Sequence, residues 1–176
     1  MALIDERTLR ENCRHFSENM DFDKCVVPII EEVGQLYIKP IIGERLYVAL
    51  LNPELIDGDT REAVEALRVG GEYKTECGFV SYCVGLNKAI AYYVYARLLR
   101  NPNGFLSSTG FRQPVDNYSN YAEYKEREST IIAVKEAADS YMADCRRYIS
   151  ENKVLRGLTC CRAQRRAGGI THVIGD

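Results

Sequence analysis

Apolar residues recur at steps of three and four along most of this chain, the spacing that gathers them on one face of an α-helix. In DFDKCVVPIIEEVGQLYIK that face is Val26, Ile29 or Ile30, Val33 and Tyr37. Asp21 or Asp23 can cap its start, and Pro28 fits if the helix begins just ahead of it. Pro40 disfavours helical backbone at Lys39, so the pattern predicts an end there. Gly43 can then take a positive φ or serve as an N-cap. Leu46, Tyr47, Leu50 and Leu51 resume the helical step until Asn52-Pro53. Two breakers so close together predict a tight corner between two helices. Tyr37, Pro40, Gly43, Leu46 and Tyr47 form the elbow, which Ile38, Ile41 and Ile42 would fill.

The same reading extends to both sides. LIDERTLRENC predicts a short helix with Asp5 as its N-cap. LIDGDT reads as a turn carried by Asp57-Gly58. DTREAVEALRVGG predicts a helix opened by the capping-box spacing of Asp59 and Glu62 and closed by Gly70 and Gly71. From about Glu72 to Arg100 one long helical pattern runs through Phe79, Cys83, Leu86, Ile90, Tyr93, Val94 and Leu98. Gly78 and Gly85 weaken it by up to about 1 kcal/mol each relative to alanine, and would admit close packing. The tyrosines of AIAYYVYARLLR occupy more than one face, which predicts burial on most sides. Asn101-Pro102-Asn103-Gly104 ends that helix. FLSSTGFRQPVDNYSN follows as a small hairpin or ordered loop, because long structureless loops are uncommon. Asn120 and Glu123 then open the clearest helix, 121–153, with a stripe through Tyr124, Ile131, Ala138, Tyr141 or Met142, Cys145 and Tyr148 or Ile149. The predicted fold is all-α: a bundle of about four to five helices, residues 1–153, with a protruding loop or small hairpin. Residues 154–176 make an extended, basic, glycine-containing C-terminal arm.

Composition narrows the class. With 46% hydrophobic and 27% charged residues in 176, the chain reads as one soluble domain with a sizeable core. A balance of 23 basic against 25 acidic residues argues against nucleic-acid binding by the surface as a whole. No leader-like start and no long apolar run are present, so neither a signal peptide nor a membrane partner is expected. The seven cysteines form no CxxC pair and fall mostly on buried-looking faces, which reads as reduced structural thiols. A zinc site would need scattered cysteines to converge with His15 or His172. Adjacent Cys160 and Cys161 are the pair to watch for oxidation.

The sequence holds no phosphate-binding glycine loop, no HExxH and no nucleophile elbow. Glu31/Glu32 and Asp57/Asp59 read as solvated face and turn. No catalytic residue, cofactor, cofactor-binding residue or metal ligand is assigned, and no enzyme is expected. The remaining candidates are interaction residues. Phe105, Leu106, Phe111 and Arg112 either tuck under their own loop or anchor a neighbour. In the tail, Arg162, Arg165 and Arg166 precede the β-leaning ITHVI with Ile170, Val173 and Ile174. That segment is either a frayed terminus or an arm whose arginines meet acidic groups while ITHVI joins a sheet edge.

The order of these motifs resembles the head–tail connector, or adaptor, proteins of tailed bacteriophages, of the kind found in Bacteroidetes and crAss-like phages. The likeness covers roughly residues 21–153. It rests on Tyr37, Pro40, Gly43, Leu46 and Tyr47, on Tyr92, Tyr93 and Tyr95, and on the STGF loop before the long charged helix. It implies a non-enzymatic virion protein at the head–tail interface, a late protein assembled in the host bacterial cytoplasm. Its partners would be the portal protein, other head–tail or tail ring proteins and further copies of itself, commonly twelve in a ring. Genomic DNA passing through the channel would lie nearby. The alternative is a helical nucleic-acid-binding protein that uses the basic C-terminal segment.

Overall fold

A computed structural model of the chain describes residues 3–13, 22–100, 105–107, 110–112 and 124–159, the side chains of 105–112 and 124–127 excepted. The architecture is all-α, with two small two-stranded hairpins attached. Helix α1 spans Glu6–Asn12, and the Asp5 carboxylate accepts the Thr8 backbone N–H at 2.8 Å, the expected cap.

The rod that follows departs from expectation in an informative way. Helical backbone runs unbroken from Phe22 through Ile42, and Pro40 does not end it. Two wide π turns, Phe22–Val26 and Gly34–Ile38, alternate with α2 (Val27–Val33) and α3 (Lys39–Ile42). Each proline lies just past one of these turns. Lys39 stays helical at φ −52°, ψ −44°, and its N–H reaches back to the Gly34 carbonyl. That i→i−5 step loosens the register where a proline ring would otherwise crowd the preceding turn and leave an N–H missing. The break comes at Gly43, with φ 86° and ψ 159°.

Gly43 also N-caps α4 (Glu44–Leu51), in which Leu46, Tyr47, Ala49 and Leu50 are buried. The elbow is filled by Ile38 and Ile42, whereas Ile41 is 38% exposed. A 3-10 turn, Pro53–Leu55, leads to α5 (Gly58–Val69). Its cap is Asp57, which accepts the Thr60 N–H at 3.0 Å, not Asp59 as the capping-box spacing suggests.

The largest correction lies at 72–85. No helix forms there. Strands β1 (Gly71–Lys74) and β2 (Val80–Cys83) pair antiparallel, and helix resumes only in α6 (Leu86–Arg100). The glycines account for this. Gly70, Gly78 and Gly85 all have positive φ, a conformation that stops a helix and suits a turn. A Cβ on Gly70 would stand 2.5 Å from the Cys83 carbonyl oxygen, and one on Gly85 2.5 Å from that of Val69. The end of α5 and the β2–α6 link therefore cross in direct backbone contact.

Beyond α6, β3 (Phe105–Ser107) pairs with β4 (Gly110–Arg112), the small hairpin expected there. Helix α7 (Tyr124–Glu151) and α8 (Lys153–Thr159) complete the described chain. Asn152 joins the last two, its side chain accepting the Val154 and Leu155 N–H groups. The core centres on α6, which packs against α1, α2, α5 and α7. The buried stripe of α7 is Val134, Ala138, Met142, Cys145, Tyr148 and Ile149, near the one expected. The C-terminal arm expected from 154 begins instead as α8, which packs on α4, α5 and α7 and fully buries Leu155.

Candidate interaction surface

Tyr37 of the elbow stacks on Tyr93 of α6, ring centroids 4.9 Å apart and 10° from parallel. Tyr93 in turn donates to the Asp139 carboxylate of α7 at 2.5 Å. Burial first, and then this bond to a carboxylate, push the Tyr93 phenol well above its ordinary range. Beside it, the Tyr92 ring meets Tyr141 edge-on at 5.0 Å, and Arg97 pairs with Glu32 of α2. Tyr47 is buried with its hydroxyl against Gly34; a Cβ there would stand 2.6 Å from that oxygen and from Leu3 Cδ1. Burial raises the Tyr47 phenol, while nearby Lys39 opposes the shift. Of the elbow residues, Leu46 and Tyr47 are buried, Tyr37 and Gly43 are half-buried and Pro40 is exposed. Gly34, on which the sequence gives no signal, leaves the room that the Tyr47 hydroxyl and Leu3 occupy.

The outward surfaces lie elsewhere. The β1–β2 register sets Glu72 opposite Tyr82 and Lys74 opposite Val80, so these four share one face of the hairpin. All four are exposed, whereas Tyr73 and Cys83 turn inward. Phe79, at the turn, is 75% exposed, Val80 65% and Tyr82 62%. Thr75 locks the turn: its N–H donates to the Phe79 carbonyl at 2.8 Å, and its hydroxyl accepts the Phe79 N–H at 3.1 Å. Phe79, which the sequence pattern places on a helical stripe, stands instead at this exposed turn.

The second surface belongs to α7. At 28 residues it is about 42 Å long, against about 22 Å for the 15 residues of α6. None of residues 128–133 is buried, and Ile132 is 54% exposed. The N-terminal part of α7 is therefore less buried than the rest of the helix. The connection leading into it carries β3 and β4. Register places Phe105 opposite Arg112 and Leu106 opposite Phe111 on that hairpin. Arg162, Arg165, Arg166, Ile170, Val173 and Ile174 lie outside the described residues.

An open cleft of about 580 Å³ separates the β1–β2 turn from the α7–α8 junction, with Tyr73, Lys74, Glu76, Tyr148, Glu151 and Lys153 on its walls. Its polar groups largely serve the fold. The Glu76 N–H donates to Glu151 at 2.9 Å, and Arg156 pairs with Glu76 at 3.2 Å. Tyr73 meets Tyr148 edge-on at 4.8 Å. Among the described residues, no cluster of three or more histidine, cysteine or acidic side chains could hold a metal, and no helix is long and apolar enough to cross a membrane.

Residues 38–155 match the profile of DUF6712, described as a family of unknown function. No curated protein and no solved structure matches the chain.

Proposed function

The chain belongs to the DUF6712 family, and we propose that it is a structural virion protein of a tailed bacteriophage, one subunit of a ring that joins the portal of the head to the tail. The observation that carries the reading is a braced bundle with a 28-residue helix whose positions 128–133 bury no side chain. The Tyr37–Tyr93 stack, the Tyr93–Asp139 bond and the Arg97–Glu32 pair tie α2, α6 and α7 together. Residues 128–133, near the start of α7, carry no buried side chain.

A closed ring joins unlike patches head to tail, so each subunit needs a stiff body and something that reaches the next one. The 101–118 loop fills that role against an adjacent subunit or the portal, and the segment after Thr159 docks on another ring component. Many weak contacts of this kind act together once the ring closes. The resemblance to phage connectors supports the same assignment, and with it a site of action at the head–tail interface.

The test is to mix the purified chain with the portal ring of its own phage and weigh the product by native mass spectrometry. Attachment of one chain per portal subunit, or a fixed multiple of that, is the expected result. No association with the portal, together with salt-sensitive binding to DNA, would overturn the reading in favour of a nucleic-acid-binding protein.

A further inference from the structure

The outer face of the β1–β2 hairpin is divided into two rows. β1 contributes Glu72 and Lys74, β2 contributes Tyr82 and Val80, and the register sets Glu72 beside Tyr82 and Lys74 beside Val80. One row is therefore charged and the other apolar. Glu72 and Lys74 stand about 7 Å apart along their strand. Neither side chain has a hydrogen-bond or ion-pair partner among the described residues. We propose that this face is a contact between two copies of the chain, related by a two-fold axis that crosses the strands midway between residues 72 and 74. The inference goes beyond the proposed role in a phage particle and stands without it, because a two-fold pair of free chains is distinct from the head-to-tail contacts of a ring.

The pattern is its own complement. With the two faces stacked about that axis, Glu72 of each copy lies over Lys74 of the other, so the charged row closes two ion pairs. In the apolar row, Tyr82 of each copy lies over Val80 of the other. Stacked sheets stand about 10 Å apart, a gap that glutamate and lysine side chains span together. The other two-fold axis in this plane, along the strands, would lay Glu72 on Tyr82 and Lys74 on Val80 and bury each charge unpaired. The charge pattern thus selects one arrangement.

The face is also presented firmly. Tyr73 meets Tyr148 of α7 and Cys83 is buried, which holds the inner side of the hairpin on the body. With Phe79 in the turn, the exposed apolar surface amounts to roughly 300–400 Å², the size of patch that is often functional on a monomer. Two copies together would bury on the order of 1,000 Å², which suits a weak dimer. The competing description is a solvated hairpin on which Val80 and Tyr82 serve only as good strand formers.

The experiment follows the mass of the whole chain by sedimentation equilibrium from about 1 to about 200 µM in low salt. A monomer–dimer equilibrium with a micromolar Kd is the expected result. Glu72→Lys and Lys74→Glu each set like charges face to face and should weaken the dimer about tenfold or more. An equal mixture of the two variants should restore it, because the all-basic row of the first then faces the all-acidic row of the second. The chain carrying both changes should pair as the parent does, which decides the matter even if one single variant does not fold by circular dichroism. A parent that stays monomeric, or a species of more than two copies, would overturn the proposal. So would a dimer indifferent to both single changes, which would place the contact elsewhere, or a mixture of folded variants that stays monomeric.

Discussion

Gly43 sits at φ 86° and ψ 159°, a region of backbone space that is nearly glycine's alone, and the Thr159 backbone lies 3.9 Å from where its Cβ would stand. Pro40, three residues earlier, occupies ordinary helical backbone and is exposed. The two breakers that look equivalent in the sequence therefore carry unequal weight. Gly43→Ala is expected to cost about 1–3 kcal/mol, whereas Pro40→Ala should change stability by less than about 1 kcal/mol. Urea unfolding of the two variants ranks them; equal losses would mean that the corner is set by the proline after all. Tyr93 gives a residue-scale prediction about pH. Its phenol is raised in the folded state, so the unfolded chain releases that proton first as pH climbs past about 10. The contribution is complete below that pH and is lost as pH rises towards the folded value. In Tyr93→Phe the alkaline decline of stability should be shallower than in the parent, measured by denaturant midpoints between pH 9 and 11. Parallel declines would remove Tyr93 as a source. The cap at Asp5 could be read by eye from the sequence. The shift of the second cap from Asp59 to Asp57 could not, because Asp57, Gly58 and Asp59 offer two acids two residues apart and only packing chooses between them.

At the scale of elements, what could be read was whatever repeats with period 3.6 over ten or more residues. Helices α5, α6 and α7 announce themselves in this way, and Gly70 marks the end of α5 where the structure has it. The β1–β2 hairpin did not, for a physical reason. Phe79 and Cys83 are four apart and join smoothly onto the stripe of α6, so two short strands pass for several extra turns of helix. The signals against it were Gly78 and Gly85, which take positive φ at a turn and at a backbone crossing. Their Cβ-less geometry is visible only once the crossing partner is known. Likewise the unbroken rod from Phe22 to Ile42 was hidden, because a proline ends a regular α-helix but not one that widens to a π turn just before it. The exposed face of the hairpin yields a test of its own. Val80→Ser with Tyr82→Ser removes apolar surface that is 65% and 62% exposed among the described residues, so the thermal midpoint should move by no more than about 2 °C. A drop much larger than that would show that this face contributes to the fold of the isolated chain.

For the whole molecule, the division between body and tail has shifted. A boundary at 153 follows from charge and glycine content, but Leu155 is fully buried and α8 packs against α4 and α5. Nothing in LRGLT distinguishes one buried leucine from a tail leucine in the sequence alone; burial there is a tertiary fact. Removal of residues 160–176 should leave the thermal midpoint and the helical circular dichroism of the body essentially unchanged. Removal of 154–176 also empties the Leu155 site and should cost about 2–5 kcal/mol, as large core truncations do. Equal stability of the two truncations would show α8 to be dispensable. The interaction residues were legible only as candidates: the hairpin holding Phe105, Leu106, Phe111 and Arg112 exists in backbone, while Phe79, Val80 and Tyr82 came from the structure.

The contact between Thr159 and Gly43 has a mechanical consequence. Asn152 fixes the heading of the last helix and the corner receives its end, so the tail leaves the body from an anchored root. Tension applied to that tail is therefore delivered first to the corner between α3 and α4, against which Thr159 rests.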